Sequence, residues 1–163
     1  MFIVLQATTQ TFEIEGSSMQ PTLIDGQRVL VNRFVYARSS IGPFGDGGYV
    51  FHGPQRGDII IFHPPTGDRN DFVKRVIGLP GDEVDIRNGQ VFVNGDHVDY
   101  VDDYTQERTY EYPQTVPEGE LFVLGDNRRV SNDSRSWGFV PREDVVGRAW
   151  VVYWPFGNFR LFS

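Results

Sequence analysis

The 163-residue chain contains no cysteine. Disulfides, thiolate metal sites and cysteine nucleophiles are therefore excluded, while the redox compartment stays open. Long apolar runs are missing too. Phe2 to Leu5 is the longest candidate near the start, and polar Gln6 and Thr8 follow it, far short of the ~20 apolar residues that cross a bilayer. That opening lacks the length and basic flank of a cleavable secretory signal, and fits the stub of an anchor lying upstream. Positive charge is scarce: 15 basic against 22 acidic residues give a net charge of -7. This argues against nucleic acid as a partner, because clustered Lys and Arg supply most of that attraction. His52, His63 and His97 are scattered and, with no cysteine beside them, make a poor zinc set. Glycine-rich phosphate loops and dinucleotide fingerprints are also missing. Neither a metal nor a cofactor is expected.

Helical periodicity is nearly absent, and short runs rich in Val, Ile and Phe recur between Gly, Pro and Asn instead, the pattern of an all-β, β-dominated fold. Strands are expected at 28–35, 58–62, 72–79, 83–86, 90–93, 121–124 and 145–154, with a partner for the last at 159–162. Asn88-Gly89 and Asn94-Gly95 flank Gln90 to Val93. Such pairs suit tight hairpin turns that need positive φ at both central positions, so a β-ribbon excursion is expected over 84–118 within one domain spanning 1–163. Its acidic, Tyr-rich part from Asp96 to Glu118 reads as the outer part of that ribbon or a solvated insertion. Ser39 to Pro54, crowded with glycine, reads as a long loop.

Basic residues divide very unevenly, with arginine at fourteen positions and lysine only at Lys74. Arginine keeps its proton in proteins, whereas burial can bring a lysine low enough to act as a base. The lone lysine is either an accident of an Arg-rich composition or a residue retained to titrate, and the count leaves both open. Strand alternation sets Lys74 and Arg75 on opposite faces without saying which face is inward. A lysine base needs a nucleophile, and Gly16-Ser17-Ser18 supplies two hydroxyls in a turn. Taken alone, that turn is structural far more often than catalytic.

The longer strings decide between these readings. Ser18-Met19-Gln20-Pro21-Thr22-Leu23 resembles the nucleophile box of the type I signal peptidases, and three further stretches resemble the later boxes in order: Arg56 to Phe62, Phe72 to Asp82, and Gly125-Asp126-Asn127-Arg128 through Ser131, Asp133, Ser134 and Arg135. Four ordered boxes are a far more specific signal than one. The resemblance implies a coiled antiparallel β-sheet or barrel core and a Ser-Lys dyad serine endopeptidase that removes signal peptides after small residues. By position, Ser18 matches the nucleophile and Lys74 the base. Ser131 should hydrogen-bond Lys74, and Asp133 should pair with Arg135 and Arg75, while Asp126 and Asn127 shape the turn. The Ser18 backbone N–H should donate to the oxyanion. Phe12, Ile14, Met19, Leu23, Phe72 and Val73 should line the pockets for small side chains. The chain departs from the family at Arg129-Val130, where Asp-Asn is common, and at Gly16, where some members carry a serine hydroxyl.

The implied partners are exported preproteins, a phospholipid membrane surface and, indirectly, the secretion machinery, with the domain on the outer face of the cytoplasmic membrane. Trp150, Trp154, Phe156, Phe159 and Phe162 are expected to be core for the most part. Trp154 and Phe156, in a Trp-Pro-Phe-Gly turn, are the candidates for contact with lipid.

Overall fold

The computed structural model describes residues 9–37, 52–98, 100–101 and 113–162. Most of the glycine-rich 39–54 stretch and the outer part of the 96–118 segment lie outside them. The fold is strand-dominated, built on a curled antiparallel sheet. That sheet runs in the order β1 (Thr9–Glu13), β2 (Arg28–Asn32), β11 (Val145–Trp154), β3 (Ile59–Phe62), β4 (Phe72–Gly78), β9 (Glu120–Leu124) and β10 (Val140–Pro141), with β12 (Arg160–Leu161) pairing β11. A second sheet contains β7 (Asp96–His97), β6 (Gln90–Val93), β5 (Glu83–Arg87) and β8 (Gln114–Thr115). One short helix, α1, covers Ser134–Trp137.

At the centre of the larger sheet β3 and β9 are buried on both faces, which explains why they read as continuous apolar runs rather than alternations. In β3, Ile59 and Ile61 join a core with Ile14, Met19, Leu23, Val29 and Val31, whereas Ile60 and Phe62 join a second one with Val76, Leu121 and Val123. From β9, Phe122 and Leu124 point the other way, into a third core shared with Val84, Ile86, Val91 and Val93 of the smaller sheet. The smaller sheet has one solvated face and does alternate, with Glu83 and Arg87 exposed around buried Val84 and Ile86. Its two hairpins close as the sequence requires: Asn88 and Gly89 have φ of 50° and 79°, and Asn94 and Gly95 have φ of 54° and 88°.

The larger sheet packs tightly against the smaller one at Gly78. A Cβ there would come within 2.7 Å of Val84 Cγ2 and 2.9 Å of Val116 Cγ2. Gly78→Ala should therefore destabilise the protein by about 1 to 3 kcal/mol through overpacking. The measurement is a urea titration, in which the midpoint falls at an unchanged slope.

The C-terminal aromatics depart from expectation at Trp150 and Phe159, whereas Trp154 and Phe156, the pair singled out for lipid contact, are exposed as expected. Trp150, Trp154, Phe156 and Phe159 are all exposed, as is Leu161, and Phe156 reaches 76%. Only Phe162 packs against the core. The end of β11 runs past β3, whose register with it stops at Arg148, and is flanked there only by β2 and the two-residue β12. Nothing further covers its outer side chains among the described residues.

Candidate active site

The nucleophile turn enters from β1 and is bent by Gly16, whose φ of +87° lies in the left-handed region that favours glycine. Gly16 N donates to Asp25 Oδ1 at 2.6 Å, and the turn closes through Gln20 N to Ser17 O at 3.2 Å and Leu23 N to Met19 O at 2.8 Å. Ser18 is left half-buried on the inside of this turn. Its backbone N–H makes no hydrogen bond among the described residues.

Lys74 comes from β4, in register with Ile60 of β3. It is 4% exposed, and its Nζ lies 3.1 Å from Ser18 Oγ and donates to Val73 O at 2.9 Å. Burial pushes the ammonium from 10.5 down to about 8, against a weaker upward pull from the Asp133 carboxylate. The face of Phe72, 5.1 Å from Nζ, also favours the charged form, but its effect is small beside loss of water around the ammonium.

Asp133 exerts only a weak pull because its oxygens are already occupied. Arg135 grips both, Nε and Nη2 each at 2.8 Å, and Gly125 N donates to Oδ2 at 3.0 Å. Asp133 also caps α1, which holds Arg135 in place. The expected second partner is elsewhere: Arg75 does not reach Asp133 but forks onto Asp126, at 2.8 Å and 2.6 Å, while donating to Gly57 O at 2.9 Å. Alternation along β4 sends Arg75 away from Lys74, and the acid within reach on that side is Asp126. Asp126 is thus an ion-pair partner in its own right, more than a former of the turn.

Two other expectations are corrected. Ser131 Oγ is fully buried without a hydrogen-bond partner, and the Lys74 amine is satisfied by Val73 O instead. That carbonyl is within reach because β9 pairs with β4 only from Arg75 onward. Leu23 is not among the described residues lining the cleft at Ser18; one turn beyond Met19 it is folded wholly into the core. Asn127 does connect the last box to the first, its N–H donating to Ser18 O at 2.9 Å. Sequence reasoning passed over Gly125 and Arg128, which stand inside that box. Arg128 is buried and donates Nε to Gly125 O at 3.1 Å, and a Cβ on Gly125 would lie 2.5 Å from Ser18 O.

A cleft of about 510 Å3 ends at Ser18 and Lys74. Its floor holds Phe12, Ile14, Met19, Phe72 and Val73, with Ile61, which the alternation of β3 would have suggested. Two strand edges border it. β1 is the outermost strand of its sheet, and Phe72 to Lys74 of β4 pair with β3 on one side only. Of the histidines, His63 pairs with Asp71 on the cleft margin at 2.6 Å and is well exposed, while the place beside Ser18 Oγ belongs to Lys74. This geometry favours a Ser-Lys pair over a Ser-His-Asp triad.

Comparison with known proteins gives the family. Residues 1–154 match the family described as "Signal peptidase, peptidase S26". The chain is 34% identical over 178 aligned positions to signal peptidase IB of Staphylococcus aureus, spanning 98% of this chain and 85% of that protein. It is 39% identical over 166 positions to the probable signal peptidase I-2 of Synechocystis, spanning 94% and 69% respectively. A crystal structure of a signal peptidase I from Enterococcus faecalis matches with a TM-score of 0.49 and 38% identity, covering 58% of this chain and 95% of that one. The chain belongs to the signal peptidase family, peptidase S26, and is a serine peptidase, a hydrolase.

Proposed function

We propose that this chain removes N-terminal signal peptides from exported preproteins, cutting after small residues at Ala-x-Ala sites, with Ser18 as nucleophile and Lys74 as general base. The observation that carries the reading is a buried lysine, brought down to about 8 by desolvation, hydrogen-bonded to a serine at the end of an apolar cleft. In the neutral state the Lys74 lone pair accepts the Ser18 hydroxyl proton as Oγ attacks the scissile carbonyl carbon. The ammonium so formed returns that proton to the leaving amine, which departs as the new N-terminus. Lys74 then takes a proton from water as the hydroxide adds to the ester carbonyl; the C–Oγ bond breaks, and the Lys74 ammonium returns the proton to Ser18 Oγ. The Ser18 N–H stands ready to donate to the oxyanion, an interaction worth roughly 2.7 to 4 kcal/mol in other proteases.

Asp133, Arg135, Arg75 and Asp126 act as positioning residues. The Arg75–Asp126 pair ties β4 to the last box, and Arg135 within that box occupies Asp133, the carboxylate whose pull on the Lys74 ammonium is outweighed by burial. The substrate enters as an added strand between the free edges of β1 and β4, its backbone paired and alternate side chains pointing to the floor. A floor made of packed Ile14, Met19 and Ile61 excludes large side chains, because overfilling it costs about 1 to 3 kcal/mol. Trp150, Trp154, Phe156, Phe159 and Leu161 form an exposed apolar patch suited to the interface of a phospholipid membrane, which would set the cleft beside emerging preproteins on the outer face of the cytoplasmic membrane.

The test is cleavage of an Ala-x-Ala peptide across pH. A base at about 8 is roughly one-tenth neutral at pH 7. The value of kcat/KM should thus rise nearly tenfold from pH 6 to 7 and level off above about 9. A flat or acid-favouring profile would sink the lysine-base mechanism.

A further inference from the structure

Floor and rim of the cleft differ in chemistry. The floor is apolar and buried or half-buried, whereas the exposed lining is polar at Glu13, Glu15, Ser17, Arg69, Asn70 and Asn132. Val130 is the exception. It is 58% exposed and, apart from these residues and the bare backbone of Gly16, is the one exposed residue lining the cleft among the described residues, with an aliphatic side chain. A lone surface valine needs no explanation, but this one is fixed to the nucleophile. Val130 N and Ser131 N both donate to Asn127 O, at 3.3 Å and 3.0 Å, and Asn127 N donates to Ser18 O at 2.9 Å. Between Val130 and Asn132, Ser131 turns inward and is fully buried, so its two neighbours turn out onto the rim.

We infer that Val130 is a specificity-determining residue, selecting an aliphatic side chain at the second substrate residue before the scissile bond. The inference rests on the reading of the cleft as the site of an extended peptide. In such a peptide successive side chains face opposite ways. When the first and third residues before the bond face the floor, the second faces the rim, next to the nucleophile, where Val130 stands. Burying Val130 against that side chain removes apolar surface from water. Some ~40 Å2 of it gives about a fivefold preference. Because the contact is present before and during the reaction alike, the preference falls on KM and not on kcat.

The experiment compares peptides differing only at x of Ala-x-Ala, with leucine, valine, glutamine or aspartate, on the unaltered protein, Val130→Asn and Val130→Ile. Leucine and valine should exceed glutamine by about fivefold in kcat/KM, through KM. That ratio should collapse towards one in Val130→Asn and persist in Val130→Ile, which controls for any disturbance of the loop. Equal rates for all four peptides on the unaltered protein, or a preference that survives Val130→Asn, would overturn the assignment while leaving signal-peptide cleavage intact. A Val130-dependent preference at the first residue after the bond instead would overturn it as well. Failure to cut any member of the series would bring down the cleavage reading and this inference with it.

Discussion

Lys74→Arg should lower kcat/KM for an Ala-x-Ala peptide by at least about a thousandfold. Arginine keeps the positive charge but cannot give up its proton near neutral pH, so Ser18 would lose its base while the site kept its formal charge. Loss of activity through misfolding is separated by Lys74→Met. The ordinary value of 10.5 falls to about 8 in the folded chain, which settles the sign. Below pH 8 both folded and unfolded chains hold the proton, and folding bears the full desolvation cost of the ammonium. Between about 8 and 10.5 the unfolded chain holds more of it, so the penalty relaxes and stability rises with pH. A shift of that size corresponds to about 3 kcal/mol. Lys74→Met should thus be at least as stable as the unaltered protein at pH 7, should lose the rise between pH 8 and 10.5, and should be equally inactive. Thermal unfolding and single-turnover rates check both halves. An active Lys74→Arg protein would defeat the assignment of the base.

Gly125→Ala should lower kcat by about a hundredfold or more, with a smaller change in KM. Space is the reason. The added Cβ would lie 2.1 Å from Ser131 Oγ and 2.5 Å from both Ser131 Cβ and Ser18 O. At Gly78 the two closest atoms are side-chain methyls that can shift, but here one is the backbone carbonyl of the nucleophile, which also accepts from Asn127 N. Relief of the clash requires Ser18 or the Gly125 strand end to move by a sizeable fraction of an ångström, and a displacement of about 1 Å in a reacting group costs on the order of a hundredfold. Stability should fall as well, by about 1 to 3 kcal/mol. Measurement of kcat and KM beside the unfolding midpoint distinguishes a displaced nucleophile from a merely loosened fold. Unchanged kcat would mean that Ser18 does not need the position this contact gives it.

The strands that were legible in the sequence are those whose pattern is local. β3, β4, β6 and β9 are short runs of branched and aromatic residues, and two Asn-Gly pairs set the turns on either side of β6. β1 escaped notice because Thr9–Glu13 has a single large apolar residue, Phe12, and owes its extension to pairing with β2 across five positions. β7, β8 and β10 have two residues each and exist only as partners of longer strands. The exposed aromatics at the end of β11 misled for a related reason. Composition favours burial of Trp and Phe, but whether a neighbour covers them depends on how far β3 extends alongside.

From the sequence alone came Ser18 and Lys74 as a candidate pair, the order of the four boxes, and the opposition of Lys74 and Arg75 that strand alternation imposes. Alternation alone does not say which of those two faces Ser18, and the place of β4 between β3 and β9 decides it. The same holds for the acids. Asp126 and Asp133 stand in one polar stretch, near several arginines, and no spacing rule assigns partners there. The folded loop brings Asp126 to Arg75, and the cap of α1 aims Asp133 at Arg135. Ion pairing depends on distance through space, which only the tertiary structure supplies, whereas hairpin turns and strand alternation depend on neighbours in the chain.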